Sequence, residues 1–113
     1  MTRIKRYCDN YILEIDNGRI KEYCGPYLYE YDSDRIKRYM GSYVYEINGN
    51  IIKQYMGNYL LEIDGNKIKR YMGNYIAEIS DNKIKAYMGG YLYEIDGFLS
   101  NQDLMAVIAV LFA

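Results

Sequence analysis

The side chains able to do chemistry in this chain are glutamate, lysine, tyrosine and two cysteines; histidine is absent. Paired carboxylates are the tool of a glycosidase, and Glu14, Glu30, Glu46, Glu62, Glu78 and Glu94 stand 16 residues apart. Each of these glutamates, however, has a lysine expected across from it, and a recurring group is not the unique residue that a catalytic site needs. Without histidine, the usual general base and commonest metal ligand is missing. Cys8 and Cys24 therefore have no activating partner, and neither sits in a CxxC or Cys/His cluster. No glycine run matches a phosphate loop. The expectation is a protein that is not an enzyme and takes no cofactor or metal.

The spacing that argues against a catalytic site argues for a repeat. Tyr7, Tyr23, Tyr39, Tyr55, Tyr71 and Tyr87 form one 16-residue series, and Tyr11, Tyr27, Tyr43, Tyr59, Tyr75 and Tyr91 form another. Turn dipeptides recur every eight residues, among them Asn17-Gly18, Gly41-Ser42, Gly49-Asn50, Gly57-Asn58 and Gly65-Asn66. Gly-Asn and Gly-Ser suit two-residue type II′ hairpins, in which the first central residue has positive φ. The segments between them are rich in Tyr, Ile, Leu and Val and read as strands. The expectation is twelve antiparallel strands in an up-and-down meander over residues 1–99, at 3–8, 11–16, 19–24, 27–32 and onward to 91–96.

Two-residue turns throughout would set Lys37 opposite Glu46 and Glu46 opposite Lys53. They would likewise pair Lys5 with Glu14, Lys21 with Glu30, Lys69 with Glu78 and Lys85 with Glu94, and place Arg3, Asp16, Arg19, Asp32 and Arg35 in a second charged row. Such cross-strand pairs are individually weak but mutually consistent. One face would then be ionic. The other would carry an isoleucine row from Ile4 to Ile95, broken only by Tyr31, and a row alternating Cys or Met with Tyr (Cys8, Tyr11, Cys24, Tyr27, Met40, Tyr43 and onward). Cys8 and Cys24 fall two strands apart, too far for a disulfide.

Equal strands and equal two-residue turns build in almost no stagger, and a barrel requires stagger. An open, twisted, single-layer sheet is therefore expected, with stacked hairpins as the second architecture. Ser100 begins a capping box with Asp103, and an apolar helix is expected over 100–113. At about 20 Å it would cover only part of such a sheet, and it is apolar on every side. A homo-oligomer is the expected cover, with Leu104, Met105, Val107, Ile108, Leu111 and Phe112 at the interface. The free edges would pair head to tail, Arg3 facing Asp96, Lys5 facing Glu94 and Tyr7 facing Leu92.

Lys and Arg total 14 against 15 Asp and Glu, a balance that argues against nucleic acid as a partner. The N-terminus lacks the apolar stretch of a signal peptide, and the run 104–113 is about half a membrane span. The expected setting is cytoplasmic, without a membrane span. Units such as Tyr71-Met72-Gly73-Asn74-Tyr75-Ile76, together with the apolar tail, resemble uncharacterised bacterial proteins built of tandem β-hairpins, and more loosely MORN repeats. The resemblance implies an architecture and no site. The functional expectation is a self-assembling structural or scaffolding element whose partner is itself; the alternative is a binding module offering a tyrosine-lined surface to a protein or glycan.

Overall fold

The computed structural model describes residues 2–113. Twelve strands alternate along the chain: β1 (Thr2–Arg6), β2 (Tyr11–Ile15), β3 (Arg19–Glu22), β4 (Tyr27–Tyr31), β5 (Arg35–Arg38), β6 (Tyr43–Asn48), β7 (Ile51–Gln54), β8 (Tyr59–Asp64), β9 (Lys67–Arg70), β10 (Tyr75–Ser80), β11 (Lys83–Ala86) and β12 (Tyr91–Asp96). They are followed by α1 (Asn101–Phe112). All neighbours are antiparallel and consecutive, as expected for a meander of hairpins. The sheet is not open, however: β12 pairs with β1 and the ring closes into a barrel.

The stagger comes from the corners that were expected to be two-residue turns. Between β7 and β8 the chain leaves strand geometry for Tyr55–Asn58, with Gly57 N–H donating to the Gln54 carbonyl and Gln54 N–H to the Asn58 carbonyl. The register then reads Ile51 with Glu62 and Ile52 with Leu61, but Lys53 with Tyr59, which marks a bulge. The same irregularity recurs at every corner of this type. Each such corner offsets the pairing by two residues from the expected alignment, so six repeats accumulate a stagger of about twelve residues over twelve strands. That amount matches the strand tilt a closed barrel needs.

Five of the six expected lysine–glutamate pairs, those across the bulged corners, are therefore moved. The tight hairpins keep theirs, with Glu46 facing Lys53 and Glu62 facing Lys69. Across the bulged corners Glu46 faces Arg35 rather than Lys37, Glu14 faces Arg3 rather than Lys5, and Glu30 faces Arg19 rather than Lys21. Likewise Glu78 faces Lys67 and Glu94 faces Lys83. The bulge also carries Tyr11, Tyr27 and their equivalents to the outside, and leaves Cys and Met at the corners; neither series lines the apolar face as expected.

The isoleucine row does face inward. Ile4, Ile20, Ile36, Ile52, Ile68 and Ile84 are fully buried, and they share one cluster with Leu61, Ala77 and Ala106–Ala109 of α1. The helix lies inside the ring. Tyr45 on β6 and Tyr93 on β12, half the circumference apart, both reach its last residues: Tyr45 Oη donates to the Ala113 carbonyl at 3.3 Å, and the Tyr93 ring meets Phe112 edge-on at 6.1 Å. This arrangement explains a helix without a polar stripe, because apolar wall surrounds it. Of the residues expected at an oligomer interface, Met105, Val107 and Ile108 are buried in this core, and Leu104, Leu111 and Phe112 pack against it.

The break in the isoleucine row has its reason here. Tyr31 donates from Oη to Asp103 Oδ1 at 2.5 Å, while Asp103 and Ser100 complete the capping box. One unique wall residue thus anchors the one element outside the repeat. Burial and the neighbouring carboxylate push the Tyr31 phenol far above its ordinary range. Tyr31→Phe is expected to cost about 1.5–3 kcal/mol in urea unfolding, the value of a hydrogen bond to a charged group; an unchanged midpoint would show that the anchor is idle.

Candidate functional site

Two features recur around the ring and face solvent: a belt of tyrosine pairs and a rim of sulfur side chains. Both follow from the bulged corner. At each corner the Cys or Met residue holds positive φ, from 52° at Met56 to 56° at Cys8, with Cys24, Met40, Met72 and Met88 between them. Left-handed backbone is disfavoured for residues with a Cβ. The following glycine was expected to take it, but Gly57 and its equivalents do not. A Cβ on Gly57 would lie 3.0 Å from that of Gln54, and one on Gly25 would lie 2.8 Å from that of Glu22. Glycine serves there as the residue without a side chain in a tight crossing. In the tight hairpins the expected conformation is found, with φ of 65° at Gly49 and 64° at Gly65.

The recurring glutamate braces the strained corner. Glu46 Oε1 accepts the Met56 backbone N–H at 2.8 Å and an Nζ–H of Lys53 at 2.9 Å. Glu14 does the same for Cys24 at 3.2 Å, Glu94 for Cys8 at 3.4 Å and Glu30 for Met40 at 3.5 Å. The sequence shows the glutamate series and its lysine, but not this backbone donor ten residues downstream or, for Cys8, across the seam of the ring. For Glu46 the corner N–H, then Lys53, holds the carboxyl below its ordinary range; for Glu14 the Cys24 N–H leads, with Lys21 and Arg3 behind it.

A carboxyl whose pKa is lowered by folding adds stability that is complete above the unfolded value, about 4.3. That stability is lost as pH falls through the folded value. Glu46→Gln is therefore expected to lower the melting temperature at pH 7 and to leave it nearly unchanged at pH 3. Equal losses at both pH values would rule out the charged brace.

The tyrosines pair between neighbouring corners, across the two strands of each tight hairpin: Tyr11 with Tyr23, Tyr27 with Tyr39, Tyr43 with Tyr55, Tyr59 with Tyr71 and Tyr75 with Tyr87, at centroid separations of 4.8–5.1 Å. Tyr7 and Tyr91 complete the series at 5.0 Å across the seam. Cations flank the rings, with Arg35 5.4 Å and Lys37 5.9 Å from the centre of Tyr43, and Lys67 and Lys69 beside Tyr75. Acceptors lie within reach: Tyr11 Oη donates to Asp96 at 2.7 Å and Tyr75 Oη to Asp64 at 2.8 Å. Both hydrogen bonds raise the phenol pKa. Shallow grooves repeat between units, one of about 150 Å³ lined by Glu30, Asp32, Arg35, Lys37 and Tyr43, another by Lys5, Tyr11, Glu94 and Asp96.

The residues expected to pair between molecules, Arg3, Lys5, Tyr7, Leu92, Glu94 and Asp96, are brought together within one chain. Arg3 faces Asp96, Lys5 faces Glu94, and Tyr7 N–H donates to the Leu92 carbonyl. Their expected register is that of the seam that shuts the ring. The cysteines are free and exposed. Among the described residues, no group of three or more Cys, Asp or Glu could hold a metal ion, and no helix is long and apolar enough to cross a membrane. Neither family models, nor curated proteins, nor solved structures match the chain.

Proposed function

We propose that this protein is a non-enzymatic binding module whose outer tyrosine belt holds a polyhydroxylated ligand, a glycan, at repeated sites. The observation that carries the reading is the belt itself. Six tyrosine pairs, one stacked and five tilted, recur around the closed ring, and Tyr7, Tyr23, Tyr39, Tyr43, Tyr55, Tyr59, Tyr71, Tyr87 and Tyr91 are exposed outside the core. Aromatic faces suit the C–H faces of sugar rings, and the adjoining carboxylates and ammonium groups supply acceptors and donors for hydroxyls. Six equivalent sites on one rigid ring favour a repetitive ligand, because each further contact is intramolecular.

The test is titration against a panel of soluble polysaccharides. Tyr43→Ala with Tyr55→Ala removes one pair and should weaken binding several-fold. Removing three alternate pairs should abolish it while the far-UV spectrum is retained. Equal binding by these variants, or no binding to any polysaccharide, would end this reading. A self-assembling role has lost the supports first expected for it, since the strand edges pair internally and the helix lies inside the ring.

A further inference from the structure

The sulfur rim is not explained by packing. The corner position disfavours any side chain with a Cβ, and asparagine or glycine would be more comfortable there. Yet all six corners carry Cys or Met, and Met40, Met56, Met72 and Met88 are 81–83% exposed. Methionine makes adaptable apolar contacts, so four unpartnered methionines held in strained backbone point to a surface that is covered in use.

The geometry gives that surface a shape. The seam between β12 and β1 uses the same register as the tight hairpins inside the chain. The repeats are therefore related by rotation about one axis, and the six corners lie in one plane. The helix runs from Asp103, near Tyr31 at the tight-turn end, to Ala113, near Tyr45. Its C-terminal end thus faces the corner end. Just inside the corners, at the last position of each odd-numbered strand, stand Arg6, Glu22, Arg38, Gln54, Arg70 and Ala86 in ring order.

We infer that the corner end is a self-association face and that its occupant is a second copy of this chain, stacked coaxially and rim to rim. Charge complementarity selects this occupant. Arginine alternates with a residue that is not arginine, so a twofold axis in the rim plane that brings Arg6 onto the partner's Glu22 also brings Arg38 onto the partner's Ala86 and Arg70 onto the partner's Gln54. No arginine then meets an arginine, and the Arg6–Glu22 contact is made twice, as an isologous interface requires. The size is sufficient: the molecule measures 37 × 34 × 18 Å, and a face that broad offers about 1,000 Å², against roughly 800 Å² per partner in a standard interface. A lipid surface fits less well, since Glu22 would have to be buried with the arginines and the chain carries a net charge of -1. This inference does not rest on the tyrosine belt.

Sedimentation velocity from 1 to 500 μM, with reductant present because Cys8 and Cys24 are exposed, tests it. The wild type should pass from 13.4 kDa to twice that mass. Replacing Met40, Met56, Met72 and Met88 by asparagine suits positive φ, so the fold should survive with an equal or higher melting temperature while the dissociation constant rises at least 100-fold. Glu22→Arg should raise it about tenfold, and adding Arg6→Glu should restore it. Strict monomers in the wild type, undiminished dimers in the asparagine variant, or dimers indifferent to the charge exchange would overturn the inference. So would methionine-dependent binding to vesicles of phosphatidylcholine and phosphatidylglycerol by a chain that stays monomeric.

Discussion

Val107→Asp is expected to leave the chain unable to form its barrel. Val107 is fully buried at the centre of α1, with the closed wall around it. A carboxylate there meets no cation, and an unpaired buried charge costs several kcal/mol, a large part of the stability of a domain this size. Removal of residues 101–113 should act in the same direction by a different route. It empties the ring, and the inward faces of Ile4, Ile20, Ile36, Ile52, Ile68 and Ile84 lose their common partner. Dye binding and loss of near-UV circular dichroism would report the collapse. A cooperative melt at an unchanged temperature in either variant would mean that the helix is a passenger and the wall stands alone.

The second large effect lies in the wall. Ile52→Ala removes a side chain with no exposed surface from a ring that closes on itself, so the neighbours have little room to move into the gap. Buried Ile→Ala changes cost about 2–5 kcal/mol, and poor relaxation places a site toward the upper end. Because the repeats are related by rotation, Ile20→Ala and Ile68→Ala should cost nearly the same, within about 1 kcal/mol. Urea unfolding of the three variants checks both statements. A loss below about 1 kcal/mol at Ile52 would contradict the close packing of wall against helix.

The methionine corners show why part of the site was hidden in the sequence. Met-Gly-Asn invites the assignment of positive φ to glycine, the residue that bears it at least cost. In the protein the methionine bears it, because the glycine is needed where a Cβ would strike Gln54 or its equivalent. A one-residue displacement of the turn is enough to insert the bulge, move Glu46 from Lys37 to Arg35, and carry Tyr43 to the outer surface. The tyrosine series was legible as a series; its pairing, Tyr43 with Tyr55, was not, because it depends on that shift.

What the sequence determined alone is what repeats and what caps: the 16-residue unit, twelve antiparallel strands, the inward isoleucines, the tight-hairpin charge pairs and the Ser100–Asp103 helix start. These rest on period, alternation and local hydrogen bonding, which neighbouring residues settle among themselves. Only the tertiary structure decided that the sheet is shut, that the helix is inside it, and that Tyr31 is the latch. Closure depends on the sum of many small offsets between strands, each a matter of backbone geometry at a corner. No single residue states that sum; it exists only when β12 reaches β1.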